Sequence, residues 1–164
     1  MKFEKKKFLI IGYQEGALKN LFFVTKKILN KKTKIIYSNN FNKIEINKKI
    51  LKFDKVKFKK LLNFSKNYNI ILGSSEKKLE INLANFFIKN NINFYFYIDS
   101  ITNIKKRFFG LNYHPSKIIC LNKLVINQLK FEIKNINKKV KIYNLNMPYQ
   151  FFLKKKYSKI NRKN

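Results

Sequence analysis

Asp99, Asn103 and Arg107 are the residues of this chain best suited to hold a polar ligand. They recur at four-residue intervals within Asp99-Ser100-Ile101-Thr102-Asn103-Ile104-Lys105-Lys106-Arg107-Phe108. On a helix beginning near Ser100, that spacing sets all three on one face. Asp99 can orient a hydroxyl, Asn103 can donate or accept, and the planar fork of Arg107 can hold a carboxylate or phosphate. The same residues also suit a purely structural role, in which Asp99 caps the helix and pairs internally with Arg107.

A second set lies at two glycine-containing turns. In Gly73-Ser74-Ser75-Glu76, two hydroxyls and free backbone N–H groups gather where a helix should start, a favourable place for an anion or a sugar. Ser74 or Ser75 serves equally well as an ordinary helix cap. Gly12-Tyr13-Gln14-Glu15-Gly16 occupies the position of a dinucleotide-binding turn but lacks the Gly-x-Gly-x-x-Gly spacing. Glu15 would also set a negative charge beside any phosphate there, so the two glycines read as a tight turn with close helix packing. The ligand-binding candidates are thus Gly12, Gly73, Ser74, Ser75, Asp99, Asn103 and Arg107.

No residue stands out as catalytic. His114, the single histidine, sits beside Pro115 with no titratable partner close in sequence, which reads as a surface-loop histidine rather than a general base. There is no Cys/His cluster for a metal, no Gly-x-Ser-x-Gly elbow and no phosphate-cradling Gly-Lys-Ser/Thr loop. Neither a metal nor a cofactor is expected.

These candidates share one property: they follow strand-like runs. Phe8-Leu9-Ile10-Ile11 ends in Gly12, Ile70-Ile71-Leu72 in Gly73, and Phe94-Tyr95-Phe96-Tyr97-Ile98 in Asp99. Continuous apolar runs of this length are strands buried on both faces, as in a parallel sheet. Helical patterns separate them, from about Glu15 to Asn30, from a cap at Asp54 to Asn67, from Ser74 or Ser75 to about Asn90, and from a cap at Asn122 to about Asn135. Further strands are predicted at Thr33 to Ser38, Lys117 to Leu121 and Val140 to Leu145. The stretch Phe41 to Phe53 alternates Ile44, Ile46, Ile50 and Leu51 with Lys and Asn, which predicts one or two short strands with a hairpin at Asn47-Lys48. A short helix is predicted from Tyr149. The alternation gives a single α/β domain over residues 1–150, a doubly wound, mainly parallel, Rossmann-like sheet flanked by helices. Residues 151–164 form a basic tail, apolar-poor from Lys154 to Asn164. In such a sheet, ligands bind beyond the carboxyl ends of the strands, where these candidates fall.

Composition bounds the partners. With 45% hydrophobic and 16% aromatic residues, the 164-residue chain has enough apolar material for one core, which excludes a disordered chain. Its net charge of +30, from 38 Lys and Arg against 8 Asp and Glu, suits RNA or an anionic membrane surface. Almost all of that charge is Lys, accompanied by abundant Asn, Ile and Phe, a mixture that A/T-rich codons also produce. Scarce Glu, whose codons are equally A-rich, does not follow from such a bias. Cys120 is the only cysteine and reads as a small core residue in a reducing compartment. No signal peptide or membrane-spanning run is visible, so the expected location is the cytoplasm, including the membrane periphery, or an organelle interior.

One family pattern is matched piecewise. Ile71-Leu72-Gly73-Ser74-Ser75-Glu76, Tyr97-Ile98-Asp99-Ser100-Ile101-Thr102-Asn103, Arg107-Phe108, Pro115-Ser116-Lys117-Ile118-Ile119 and Asn146-Met147-Pro148 together resemble the N-terminal half of bacterial GT-B-type glycosyltransferase-like proteins. In that pattern a Gly-Thr/Ser-Ser-x-Glu turn precedes an Asp-x-x-x-Asn-x-x-x-Arg-Phe segment, a Pro-x-x-Ile strand entry and a Gly-Asn-Pro-like exit. The likeness spans about Lys7 to Tyr149. It departs at the exit glycine, replaced here by Leu145 or Asn146, and it does not include the second domain that holds the nucleotide-sugar donor. The resemblance implies a carbohydrate-related acceptor-side module that takes a sugar or sugar-nucleotide and needs a second subunit for transfer. Tyr97-Ile98-Asp99-Ser100 is also similar to the doubly wound ribosomal small-subunit S-two family, which implies instead an RNA-bound structural protein contacting phosphates through Lys-rich faces.

Overall fold

The computed structural model describes residues 7–12, 17–18, 20–21, 32–37, 50–52, 58–75, 78–133, 136 and 139–146. Seven strands form one all-parallel sheet: β1 (Lys7–Gly12), β2 (Lys32–Tyr37), β3 (Ile50–Lys52), β4 (Asn69–Gly73), β5 (Phe94–Ile98), β6 (Lys117–Cys120) and β7 (Lys141–Asn144). The order across the sheet is β3-β2-β1-β4-β5-β6-β7. The chain therefore winds outward from β1 in one direction and, from β4, in the other. This order of parallel strands is that of a doubly wound sheet. The point where the order reverses lies between β1 and β4.

The helices are α1 (Phe58–Asn67), α2 (Lys78–Lys89), α3 (Ile104–Phe108) and α4 (Lys123–Glu132), and Ala17, Leu18, Asn20 and Leu21 are also helical. Phe8 to Ile11, Ile70 to Leu72, Phe94 to Ile98 and Ile118 to Cys120 are all buried, as strands covered on both faces require. Leu18, Leu21, Leu61, Leu83, Phe87, Val125 and Leu129 supply the helix side of the core. Phe87 packs on Phe94 at 5.2 Å, and Phe96 meets Phe108 edge-on at 5.5 Å. Helix α2 ends in a Schellman turn: Asn91 takes a left-handed φ of 53°, Ile92 N–H donates to Phe87 O at 2.8 Å, and Asn91 N–H to Ile88 O at 3.1 Å. Cys120 is fully buried, and that burial pushes its thiol up to about 12. Asn122 caps α4, its Oδ1 accepting from Val125 N–H at 2.9 Å.

Leu83, Ala84 and Phe87 of α2 are buried together with Glu80, and Leu79 and Phe86 pack half-buried against the same core. One expectation needs correction. No helix starts at Ser100, and α3 begins only at Ile104. There, the Ser100 hydroxyl accepts from Thr102 N–H at 3.1 Å and bonds the Thr102 hydroxyl at 2.8 Å, a local turn that competes with helix. Ser74 donates its hydroxyl to Tyr97 O at 2.6 Å. The hairpin at Asn47-Lys48, the Asp54 cap, the helix from Tyr149 and the tail at 151–164 lie outside the described residues. Where this region is described, β3 joins β2 in parallel. Among the described residues, no helix is long and apolar enough to cross a membrane.

Candidate functional site

Strands β1 and β4 run side by side and both end in glycine at the reversal of strand order. The two chains approach closely there: a side-chain carbon built on Gly73 would lie 3.5 Å from Gly12 Cα. The notch left by the two missing side chains is filled by the carboxyl of Glu80 and, at Gly12, by Leu18, whose Cδ2 lies 3.0 Å from the place of a Gly12 Cβ. Glu80 Oε1 lies 3.0 Å from the place of a Gly73 Cβ and 3.3 Å from that of a Gly12 Cβ. Glu80 is buried, an expensive place for a carboxyl, and it reaches the notch from the first turn of α2. A signal for it exists in the sequence. Glu80, Leu83, Ala84 and Phe87 share the apolar spacing of a core-facing helix, so a carboxyl stands where a hydrophobe belongs.

A second cluster ties the ends of β4 and β5 together. Ser74 N–H donates to Tyr97 O at 3.0 Å, and Ser74 Oγ donates to the same oxygen at 2.6 Å. Arg107, buried on α3, directs Nη1 to Asp99 Oδ1 at 2.6 Å, to Ser74 O at 3.0 Å and to Ser74 Oγ at 3.2 Å. Arg107 is thus a brace between two loops and a short helix. Its Nη1 is spent on internal acceptors, including the Asp99–Arg107 pair that these residues also suited. Ser75 is buried beside this brace.

Asn103 stands apart from both. It takes a left-handed φ of 55°, its side chain makes no capping bond, and it is exposed on a groove with Lys105, Lys106, Phe109 and Glu132. The structure therefore gathers Gly12, Gly73, Ser74, Ser75, Asp99 and Arg107 at the carboxyl end of the sheet and leaves Asn103 outside. His114 borders grooves formed with Ser116, Asn93 and Phe94, at the amino ends of β5 and β6, and its ring meets Phe108 edge-on. It cannot serve as a base for the rim. Among the described residues no three His, Cys, Asp or Glu side chains come together.

Two polar atoms that sequence patterns did not reveal complete the rim. The hydroxyl of Tyr97 and Oδ1 of Asn20 are buried without a partner of hydrogen-bond geometry. Asn20 nevertheless lies close enough to lower the hydroxyl pKa, while burial first and the Asp99 charge second raise it well above its usual 10.0. Removing the hydroxyl as Tyr97→Phe should raise stability by about 1 kcal/mol at neutral pH, the cost of an unsatisfied buried group. The pH dependence has a definite sign. Above pH 10.0 the unfolded tyrosine ionises and the folded one does not. Stability then falls by about 1.4 kcal/mol per pH unit, a contribution that Tyr97→Phe abolishes. Urea unfolding at pH 7 and above pH 10 checks both; a destabilised Tyr97→Phe protein would show that the hydroxyl has a partner.

The class defined by fold and rim is a doubly wound α/β domain with a glycine-lined, acid-bearing notch at its topological switch point. Comparison with protein-family models, curated protein sequences and solved structures returns no match to this chain.

Proposed function

We propose that this chain is a glycosyltransferase-like acceptor-side module that holds a sugar or sugar-nucleotide at the carboxyl rim between β1 and β4, with transfer completed by a second subunit that binds the donor. The observation that carries the reading is the Glu80 carboxyl seated in the notch of Gly12 and Gly73. Open parallel sheets take ligands at this reversal point. A carboxyl at the floor of this reversal point, with the Tyr97 hydroxyl and the Asn20 amide oxygen also buried near the strand ends, disfavours a diphosphate and suits the hydroxyls of a sugar ring seated above it. The brace of Arg107 keeps the neighbouring loops in place without itself offering a cation. Titration calorimetry with UDP-glucose, UDP-N-acetylglucosamine and the free sugars tests this. At least one should bind, and Glu80→Gln should weaken it at least about tenfold, the value of a hydrogen bond to a charged group. Absence of binding by every one of them, or binding indifferent to Glu80→Gln, refutes the reading.

The charge of +30 favours a second reading, an RNA-bound structural protein. It requires affinity for RNA that falls steeply with salt, as release of counterions from several phosphates dictates.

A further inference from the structure

Helices α3 and α4 pack against each other through Glu132, whose Oε2 accepts from Lys105 N–H at 2.7 Å and whose Oε1 accepts from Gln128 Nε2 at 2.7 Å. Glu132 is the only acid of the two helices, and both its oxygens accept hydrogen bonds within the pair. The outer surface of the pair is unusual. Leu124 and Phe131 are 67% and 72% exposed, and with exposed Asn127 they follow the three- and four-residue spacing of a single helical stripe. At the end of α3, Phe109 is 82% exposed, and Ile101, just before the helix, is 50% exposed. Lysines stand beside these tips: Lys105 and Lys106 near Phe109, Lys123 next to Leu124, and Lys130 next to Phe131, all exposed. A groove of about 390 Å³ lined by Asn103, Lys105, Lys106, Phe109 and Glu132 opens on the same surface.

We propose that this α3–α4 face docks onto an anionic lipid bilayer, with Phe109, Leu124 and Phe131 entering the interfacial region and the four lysines meeting lipid phosphates. Single exposed hydrophobes are ordinary, but large ones beside four lysines, with Glu132 as the one acid of the helix pair and hydrogen-bonded within it, are complementary to negatively charged headgroups. A lysine stem lies along acyl chains while its ammonium reaches the phosphate plane. Protein interfaces, by contrast, exclude lysine from their centres. Binding to single-stranded RNA relies on aromatic rings as stacking platforms, which Phe109 and Phe131 could supply but Leu124 and Ile101, equally part of this exposed apolar set, do not. The proposal is independent of what the sheet rim binds.

The chain contains no tryptophan, so Phe109→Trp supplies a single reporter on this face. On vesicles of phosphatidylcholine with phosphatidylglycerol, its emission should shift to the blue, with no shift on phosphatidylcholine alone. Adding Leu124→Ser and Phe131→Ser, which leaves every lysine in place, should lower the vesicle partition coefficient at least about tenfold. Far-UV circular dichroism should stay unchanged, because both side chains are exposed. Absence of a blue shift, or partitioning indifferent to the two serines, overturns the proposal. If the serines weaken binding to a homopolymeric RNA tenfold instead, the face belongs to RNA and the proposal also fails.

Discussion

Replacing Arg107 by methionine is expected to lower the free energy of unfolding by about 3 kcal/mol, the lower end of the range for breaking a buried ion pair. The guanidinium is only 6% exposed and satisfies Asp99 Oδ1, Ser74 O and Ser74 Oγ. Methionine fills much of the volume but leaves those acceptors facing an apolar chain. Asp99 is 16% exposed, so water relieves part of the penalty, which is why the lower figure applies. Urea unfolding followed by circular dichroism measures the loss. Arg107→Lys should recover less than half of it, since the ammonium on its shorter stem falls short of the place of Nη1, which all three acceptors share. Combining Asp99→Asn with Arg107→Met should cost less than the two changes summed, because the partners share one interaction. A loss under about 1 kcal/mol for Arg107→Met, the scale of an exposed pair, would remove the brace from the account.

Gly73→Val should cost about 2 to 3 kcal/mol, the range for overpacking a closed site. Its Cβ would lie 3.0 Å from Glu80 Oε1 and 3.5 Å from both Gly12 Cα and Ile11 O, with the further methyl groups still to be placed. Gly73→Ala should cost less, because the nearest atom is the end of a flexible carboxylate side chain that can withdraw by a few tenths of an ångström. The test of mechanism is non-additivity. If Glu80 and the two glycines form one packed unit, Gly73→Ala together with Glu80→Ala destabilises by less than the sum of the single changes. Thermal unfolding of the four proteins decides it, and strict additivity would separate the glycine notch from Glu80.

Much of this architecture is legible in the residues. Ile70 to Gly73, Phe94 to Ile98 and Lys117 to Cys120 are strands because uninterrupted apolar runs bounded by Gly, Asp and Asn have no exposed face to offer. Their shared direction follows from the helices between them, and the gathering of Ser74, Asp99 and Arg107 follows from that direction. The start of α3 is less legible. Spacing alone puts Asp99, Asn103 and Arg107 on one helical face, but the hydroxyls of Ser100 and Thr102 bond locally and Asn103 turns left-handed. The Asp99–Arg107 pair survives because it is made across a turn rather than along a helix. Glu80 escapes a reading that looks for polar residues in loops, since its side chain matters through a notch in two other strands. The unpartnered Tyr97 hydroxyl is equally invisible in a run of five aromatic and aliphatic residues, where position within the sheet, not residue type, decides which tip meets water.

The chain has only four glycines, which makes one measurement unusually direct. Selective nitrogen-15 labelling of glycine gives a spectrum in which Gly12 and Gly73 report on the rim, while Gly110, held against Ile81 and hydrogen-bonded through its carbonyl to Asn85, reports on a region away from it. Titration with sugars and UDP-sugars should move the Gly12 and Gly73 resonances together and leave Gly110 in place. A ligand that moves Gly110 while Gly12 and Gly73 stay fixed, or a spectrum unchanged by all of them, contradicts a sugar site at the junction of β1 and β4.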